Sequence, residues 1–517
     1  MATQNLVKRL QNIMRRDAGI SGDAQRIEQM VWLFFLKVYD AQETEWEYKA
    51  YKSKRKFVSI IPEKFRWRNW AHAKDADGKD VGTALTGEEL LVFINELFAA
   101  LKGIVVTPDT PMRQAIVREV FADLNQYQKN GILLRQVVNV IDEIDFSDAE
   151  DRHTFGDIYE GILKDLQSAG NAGEFYTPRA LTDFIVSRLD PRLGERFGDF
   201  DSGTGGFLVS TLNHLHAQVR TTADRAKLQT SVLGQEWKPL PYLLSITNLL
   251  LHNVDEPDIR HMDSLGRRLR DWKPDCDVIG MNPPYGGSTE ASVKSNFPSE
   301  FQTSETADLF ILLIMQRLRH GGRAGVVIPD GFLSGTDGAK LAIKRKLLRD
   351  FDLHTVVRLP GSIFSPYTGI ATNILFFDRP AATPQEGALA TKDVWFYRLD
   401  MPEGIKHFSK TKPMRLEHCK PIADWWSDRR EIVGEDVGEK SRRFSAQELL
   451  AGNCNLDLCK FPVRQDELLP PRELMARYRE KRGEVDAAID AVLAKVEALL
   501  GEDAENDLAR KRGGAEP

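Results

Sequence analysis

Cysteine is scarce in this sequence, with four residues in a chain of 517. Cys276, Cys419, Cys454 and Cys459 form no C-x-x-C pair, so neither a disulfide framework nor a zinc site of usual spacing is indicated. Cys454 and Cys459 with His418 come nearest to a metal site, but their spacing does not fit one. We therefore expect buried or incidental thiols, no metal, and a reducing cytoplasm.

Long apolar runs are also lacking. The strongest, Met30 to Tyr39, contains Lys37 and is too short to cross a bilayer, and the polar start from Met1 to Arg16 has no apolar signal core. No G-x-x-x-x-G-K-[ST] phosphate-binding loop occurs anywhere in the chain. These absences argue against a membrane protein and against an ATP-driven motor or nuclease.

Positive charge is not in excess, since the formal net charge is −6. A protein that grips nucleic-acid phosphates unaided carries an electropositive surface, so a DNA-binding role for this chain would need help from a partner. One local exception is the basic cluster between Tyr51 and Phe57. It fits a nucleic-acid contact or, at least as well, a solvated loop.

Residue spacing divides the chain into three parts. The length exceeds the roughly 250 to 300 residues at which single cores stop growing, so two or three domains are expected. Residues 1–150 predict an all-helical domain, residues 151–465 alternate helices with short apolar runs, and residues 466–517 predict a helical tail. In the first part, one apolar helix stripe is predicted at Ile27, Met30, Val31, Phe34, Phe35 and Val38.

The alternation in the second part predicts an α/β fold, with a mainly parallel sheet covered by helices on both faces. Ligands of such sheets bind at the carboxyl ends of the strands, so chemistry is expected directly after each strand. The predicted strands are Val232–Gly234, Cys276–Met281, Arg323–Ile328, His354–Leu359, Asn373–Phe377 and Val394–Tyr397.

Beyond Pro470 a polar helix carries an apolar seam at steps of four and three residues. This two-heptad spacing suits a partner helix. A helix folded back on its own protein fits the spacing equally well. The seam residues are Val485, Ile489, Val492, Val496 and Leu499.

A glycine-rich turn is the first of three signals that carry chemistry. Gly203, Thr204, Gly205 and Gly206 stand where a strand is expected to lead into a helix. Glycines let the backbone approach a ligand closely, and the helix start offers free N–H groups. The turn departs from the dinucleotide pattern G-x-G-x-x-G, because Leu208 stands in place of the third glycine.

Two acids follow the turn in chain order and form the second signal. Glu236, at the end of the next predicted strand, is placed to accept both ribose hydroxyls of a nucleoside-like cofactor. Asp263 follows a third strand region and is placed to read an adenine amino group. Either acid alone is more often a solvated residue at a strand end, so their order after the glycines is the informative feature.

The third signal is the most specific: an apolar strand that runs straight into Asn282, Pro283, Pro284 and Tyr285. The two prolines fix φ and donate no hydrogen bond, so the Asn282 side chain and the Pro283 carbonyl can be held towards one spot. The two oxygens together would form a pair of hydrogen-bond acceptors. The alternative is a proline-rich turn after a buried strand, with Tyr285 merely packing.

Such an acceptor pair suits an exocyclic amine such as adenine N6, whose lone pair is delocalised into the ring. Accepting both amine hydrogens would draw the nitrogen towards tetrahedral geometry and free the lone pair for direct methyl transfer. A base inside a duplex cannot reach this spot, so the adenine would have to be flipped out and held by stacking. Tyr285 is the natural stacking platform.

These residues resemble the N6-adenine methyltransferase family, specifically the modification subunits of type I restriction-modification systems. The resemblance implies a class I methyltransferase fold, Rossmann-like with a mainly parallel seven-stranded sheet, and S-adenosylmethionine as the methyl donor. It covers nearly the whole chain. Ala307 to Phe310, Gly325 to Gly331 and Thr368 to Phe377 are similar to later family motifs.

The resemblance also implies roles for further residues. Phe364 becomes a second base-stacking aromatic, although a core phenylalanine fits nearly as well. Glu236 becomes the ribose acid, and Thr204 to Gly206 the turn beside the cofactor. The loop that holds the methionine end of the cofactor is Glu174, Phe175, Tyr176, Thr177, Pro178 and Arg179.

Partners are implied by the same resemblance. In that family two modification subunits join one specificity subunit, which reads the DNA sequence and receives a carboxyl-terminal helix, here the Val485 to Leu499 seam. A separate restriction and translocation subunit would supply the motor and nuclease. This arrangement would account for the acidic net charge.

Two other functions remain open at this point. The same Asn-Pro-Pro-Tyr turn serves enzymes that methylate a glutamine amide in translation release factors, but those are smaller and lack the helical front and the tail. The second alternative is an inactive scaffold that keeps the fold and only assembles a complex. The intact Glu236 and Asn282 to Tyr285 argue against it.

Overall fold

The amino-terminal part of the chain folds as helices packed around aromatic side chains. The computed structural model describes residues 2–72, 84–107, 109–144, 177–287, 289–365, 368–409, 411–462 and 471–512. Residues 2–144, where described, contain helices and no strand, as the spacing predicts. The helices are α1 (Ala2–Met14), α2 (Asp23–Lys52), α3 (Trp67–Trp70), α4 (Gly87–Lys102), α5 (Met112–Ala122) and α6 (Gly131–Asp142).

Helix α2 is buried on all sides over much of its length, and not along one stripe as its spacing predicts. The six predicted stripe residues are buried, and so are Trp32, Leu33 and Leu36 between them. The reason is that α2 packs on two bodies at once. One is the helical core, where the Trp32 ring meets Phe98 edge to face at 5.1 Å. The other belongs to the next part of the chain, where Gln42 Nε2 donates to the Leu250 carbonyl.

The second part is the predicted α/β fold, with a mostly parallel sheet between layers of helices. The sheet has ten strands, not seven. In chain order they are β1 (Phe197–Asp199), β2 (Val232–Glu236), β3 (Ile259–His261), β4 (Cys276–Met281), β5 (Leu318–Pro329), β6 (Asp352–Arg358), β7 (Thr372–Asp378), β8 (Asp393–Arg398), β9 (Ile432–Gly434) and β10 (Gly438–Ser445).

The strand order explains the difference in number. It runs β3-β2-β1-β4-β5-β7-β6-β8-β10-β9, so the first seven strands form one block and three more extend its β6 edge. Within the block only β7 is antiparallel to its neighbours. The six predicted strands are confirmed, each lying within or overlapping an observed strand.

Helices cover both faces of the sheet, which keeps the central strands dry. All five residues of β2 are buried, as are five of the six residues of β4. Parallel strands buried on both faces read as continuous apolar runs, which is why they could be found in the sequence. The helices are α7 (Arg179–Leu189), α8 (Gly206–His216), α9 (Thr222–Leu228), α10 (Pro239–Leu251), α11 (Ala291–Lys294), α12 (Thr306–Arg317), α13 (Asp330–Ser334), α14 (Gly338–Asp350), α15 (Lys420–Ser427) and α16 (Ala446–Ala451).

The chain divides into two compact units, Met1–Phe461 and Pro462–Pro517. The second contains one long helix, α17 (Pro471–Arg512). The seam residues Val485, Ile489 and Val492 are exposed on it. The side chains of the other two seam residues, Val496 and Leu499, lie outside the described part. No helix in the described part of the chain is long and apolar enough to cross a membrane.

Candidate active site

The glycine turn joins β1 to α8 at the carboxyl edge of the sheet. Gly203 and Gly205 have φ of +52° and +81°, a left-handed backbone that favours glycine. A Cβ on Gly205 would lie 2.8 Å from the Ser245 hydroxyl oxygen, whereas one on Gly203 would meet nothing within 4 Å. The turn is therefore closely packed behind Gly205 and open at Gly203, where a ligand could approach the backbone.

Glu236 ends β2 directly beside this turn. Its Oε2 accepts from the Gly203 N–H at 2.8 Å, and its Oε1 accepts from the Lys238 N–H at 2.8 Å. The side chain is buried. The structure thus brings together the glycines and the acid that the sequence placed on separate strands.

Asp263 lies beyond the end of β3, half-buried, with Oδ1 accepting from the Leu265 N–H at 2.9 Å. Its neighbour Ser264 is buried, and the Ser264 hydroxyl lies 2.7 Å from the Phe200 carbonyl oxygen and 2.8 Å from Gln235 Oε1. Ser264 therefore ties the loop that carries Asp263 to Phe200, which lies between β1 and the glycine turn.

Asn282 follows β4 and is buried, with both ends of its amide hydrogen-bonded. Its Nδ2 donates to Thr177 Oγ1 at 2.9 Å, and its Oδ1 accepts from the Tyr285 hydroxyl. The amide is thereby fixed in one orientation. The structure adds one feature that the sequence did not predict: the Tyr285 phenol takes one lone pair of the oxygen expected to accept from adenine.

Tyr285 and Phe364 meet edge to face, with ring centroids 6.3 Å apart and planes at 76°. Both rings are buried. Burial raises the pKa of the Tyr285 phenol well above its usual value, and the negative charge of Asp201 adds to the effect. The two aromatics predicted to stack on a base are therefore neighbours, and Asp201 of the glycine turn lies close to them.

Strand registers bring the two halves of the site to one level. Asp199 pairs with Gly234, and Gly198 pairs with Ile279. β1 thus lies between β2 and β4, and its registers set Glu236, the last residue of β2, level with Asn282, which directly follows β4. Neighbouring strands are about 4.8 Å apart, so the backbones of Glu236 and Asn282 are about 10 Å apart across β1.

Of the six residues predicted to hold the methionine end of a cofactor, three are described. Glu174, Phe175 and Tyr176 lie outside the described residues. Thr177 binds Asn282 as above, and Pro178 precedes α7, whose first residue is Arg179. The Arg179 guanidinium lies against Gly206, since a Cβ there would be 2.7 Å from its Nη1. The described half of this segment thus touches both the glycine turn and Asn282.

The chain resembles known proteins over both its helical and its α/β part. Residues 150–467 match the N-6 DNA Methylase family, and residues 3–141 match the HsdM N-terminal domain. The chain belongs to the N-6 DNA methylase family. Over 490 residues it is 45% identical to the type I restriction enzyme EcoEI methylase subunit of Escherichia coli, covering 94% of this chain and 96% of the relative.

Solved structures from type I restriction-modification systems are similar to this chain. A modification subunit attributed to a type I restriction enzyme of Vibrio vulnificus YJ016 has a TM-score of 0.74 and 39% identity, covering 86% of this chain and 92% of its own. A chain from a structure of complex assembly and conformational transition in the type I R-M system has a TM-score of 0.74 and 33% identity, covering 96% and 98%.

Three residues beside the predicted site residues were not predicted to take part: Asp199, Ser264 and Trp237. Asp199 ends β1 and is buried; burial raises the pKa of its carboxyl to about 8, the Asp201 N–H lowers it, and the Glu236 charge raises it. Trp237 follows Glu236 and is 63% exposed. A signal for Asp199 and Trp237 was present in the sequence, since Asp199 opens the glycine-rich segment and Trp237 is an aromatic directly after Glu236.

No metal-binding group appears in this methylase within the described ranges, where no three His, Cys, Asp or Glu side chains gather suitably. All four cysteines are buried and free, as predicted. The basic cluster between Tyr51 and Phe57 is exposed at its four cationic residues, Lys52, Lys54, Arg55 and Lys56.

Proposed function

We propose that this chain transfers a methyl group from S-adenosylmethionine to N6 of an adenine flipped out of double-stranded DNA, as the modification subunit of a type I restriction-modification complex. The observation that carries the proposal is the Asn282 amide, fixed between Thr177 and Tyr285 at the same strand edge as Glu236. The restriction methylase relative that matches almost the full chain favours DNA over a release-factor glutamine and over an inactive scaffold.

The residues around the glycine turn fit S-adenosylmethionine, a ligand with a ribose, a sulfonium and an ammonium group. Asp199, Asp201 and Glu236 make the turn acidic, which suits cationic groups. The buried hydroxyl of Ser202, next to Gly203, makes no hydrogen bond with the described residues, so a polar ligand would satisfy it. When bound, the cofactor supplies an electrophilic methyl group.

Glu236 and Asp199 have separate parts in holding that cofactor. Glu236, which ends β2 beside the glycine turn, accepts the ribose hydroxyls. Asp199 is the proposed partner of a cationic group, because a positive charge beside it would favour the ionised carboxylate and lower its raised pKa. Asp263 reads the adenine amino group of the cofactor, and the exposed Trp237 offers that adenine an aromatic face.

Asn282 and Pro283 act on the target amine. The Asn282 Oδ1 has two lone pairs, of which the Tyr285 hydroxyl takes one, so the other accepts one N6 hydrogen. The Pro283 carbonyl accepts the second hydrogen, and the fixed φ of both prolines keeps it in place. The nitrogen lone pair then faces the methyl donor. Tyr285 and Phe364 hold the base by stacking.

Partners complete the assembly. We assign α17 to docking on a specificity subunit, because its seam residues Val485, Ile489 and Val492 are exposed. The net charge of −6 fits a subunit whose grip on DNA is shared. A second modification subunit and a separate restriction and translocation subunit belong to the same proposal, as does a cytoplasmic location, where the four free thiols would stay reduced.

The tail assignment is tested with a chain that ends at Phe461, since the first compact unit is complete at that residue. Mixed with the specificity subunit, the shortened chain should elute alone from a sizing column, whereas the full chain co-elutes. Co-elution of the shortened chain would reject the docking role.

The function is tested by expressing the chain with its specificity subunit and sequencing the host DNA for N6-methyladenine. We expect one sequence motif to be modified, and modification should disappear when Asn282→Ala replaces the wild-type chain. Methylated release factor with unmodified DNA would instead favour the glutamine-amide reaction, and failure to bind S-adenosylmethionine would favour the scaffold.

A further inference from the structure

An ion-pair cluster around the buried Arg358 lies at the same sheet edge as Asn282 and has no part in the mechanism above. It consists of Asp330, Arg358, Asn373 and Asp457, which we call the loop clamp. Arg358 ends β6 and is 6% exposed. Its Nη1 donates to both carboxylate oxygens of Asp330 at 3.1 Å, and its Nη2 pairs with Asp457.

The loop clamp fastens both ends of the loop between β6 and β7, of which residues 366–367 lie outside the described part. Arg358 precedes this loop and Asn373 follows it, paired with each other in the sheet. Asn373 Nδ2 also donates to Asp330 Oδ1 at 2.6 Å, and the Asp330 N–H donates to the Ala371 carbonyl at 3.1 Å. The Asp330 carboxylate therefore holds both β6, which leads into the loop, and β7, which returns from it.

The same loop carries Phe364, whose ring contacts Tyr285. The register also places Asp330 beside the catalytic turn. Met281, directly before Asn282, pairs with Val326, so the Asn-Pro-Pro-Tyr turn leaves the sheet beside the strand that leads to Asp330. The clamp thus connects the strand next to Asn-Pro-Pro-Tyr with the loop that carries the second aromatic.

Two simpler roles for the loop clamp are binding of a DNA phosphate and stabilisation of the fold, and neither explains it well. Lys460 pairs with Asp457 at 2.5 Å, so two cations face two carboxylates and little net charge is left to hold a DNA phosphate. Stability alone is a weak reason for a buried ion pair, since apolar residues of similar volume often serve as well. What a forked guanidinium adds is a fixed geometry between its partners.

We propose that Asp330 and Arg358 are positioning residues for the flipped adenine: they hold the loop of Phe364 so that this ring and Tyr285 receive the base. This rests on the proposed function. The two residues touch neither the cofactor nor the reacting nitrogen, so their loss should affect capture of the base and leave cofactor binding intact.

The test uses the complex of the full chain with its specificity subunit, on a duplex with 2-aminopurine at the modified adenine, once sequencing has located it. Arg358→Lys keeps the charge but cannot bridge two carboxylates. We expect the fluorescence rise on base flipping and the single-turnover methylation rate on normal DNA to fall roughly tenfold or more, as for loss of a stacking partner. The dissociation constant for S-adenosylmethionine, measured by calorimetry, should not change.

Arg323→Lys is the matched control. Arg323 lies on β5, about 23 Å from Asp330, which directly follows that strand. Its guanidinium is also held by a carboxylate, that of Glu195, at 2.8 Å and by backbone carbonyls. It should lose stability without losing base capture. Asp330→Asn, which keeps the side-chain shape, replaces Arg358→Lys if that variant does not fold.

The outcomes separate the two proposals. Wild-type fluorescence and rate in both clamp variants, or equal losses in Arg323→Lys, would overturn the positioning role. A wild-type complex that methylates no DNA would overturn the proposed function itself. Loss of base capture in the clamp variants alone supports the inference.

Discussion

Replacing Asp199 with asparagine should stabilise the protein at neutral pH while weakening cofactor binding. The carboxyl group is buried at the end of β1, and its pKa is raised from 3.8 to about 8, chiefly by burial. Folding therefore makes this group take up a proton between those two pH values. The stability of the folded state therefore falls as pH rises from about 4 to about 8. Outside that range this carboxyl contributes no further pH dependence.

The magnitude follows from the size of the shift. Each pKa unit corresponds to about 1.4 kcal/mol, so at pH 7 the carboxyl costs about 4 kcal/mol relative to an exposed one. Asparagine does not ionise and avoids this cost, and its amide oxygen can still accept from the Asp201 N–H, as Asp199 does at 3.3 Å. Its NH₂ group lacks a partner, which offsets about 1–3 kcal/mol of the gain.

The assay is urea unfolding of the wild type and Asp199→Asn at pH 5 and pH 8. The stability advantage of the variant should be about 4 kcal/mol larger at pH 8 than at pH 5, and terms that do not depend on pH cancel in this comparison. An advantage that stays constant would show that Asp199 titrates near its ordinary value and would refute the reasoning. Calorimetry should also show weaker S-adenosylmethionine binding to the variant.

Five further substitutions, at four residues, test single contacts of the site. Glu236→Gln should weaken S-adenosylmethionine binding roughly tenfold, because its amide leaves one backbone N–H without an acceptor; unchanged affinity in calorimetry would contradict this. Tyr285→Phe removes only the hydroxyl and should slow methylation less than Tyr285→Ala, which should slow it roughly tenfold or more by loss of stacking; equal rates would exclude the stacking role. Gly205→Ala should lower the thermal unfolding midpoint more than Gly203→Ala: both cost about 1–2 kcal/mol for left-handed backbone, but only the first clashes, with Ser245. Equal losses would contradict that packing.

The parts of the fold that could be predicted are those whose residues are buried on both sides. β4 is an apolar run and was predicted with the correct bounds, Cys276–Met281. β10, Gly438–Ser445, is mostly polar and lies near the sheet edge with only Ser441 buried, so hydrophobicity gives no signal for it. β9, Ile432–Gly434, likewise has no buried residue. The seven strands that the family resemblance implies form one block, and β8, β10 and β9 extend it.

The site was predictable as a set of motifs but not as a set of contacts. Spacing places Glu236 and the glycines on successive strands, and the parallel sheet brings them together. No spacing shows that the Tyr285 hydroxyl binds the Asn282 oxygen, because that depends on a side-chain rotamer. Likewise Asp330 and Asp457 are far apart in sequence, and only the folded chain places both on Arg358.

The amide oxygen of Asn282 is the centre of this account, and single-turnover methylation measures its contribution most directly. The complex with the specificity subunit is mixed with labelled S-adenosylmethionine and DNA, for the wild type, Asn282→Ala and Asn282→Asp. We expect Asn282→Ala to be slower on the order of a hundredfold or more, by analogy with the loss of one aligned polar group, with unchanged cofactor affinity. Asn282→Asp keeps an acceptor oxygen but loses the N–H donated to Thr177, so its rate should lie between. A wild-type rate in Asn282→Ala would contradict the mechanism.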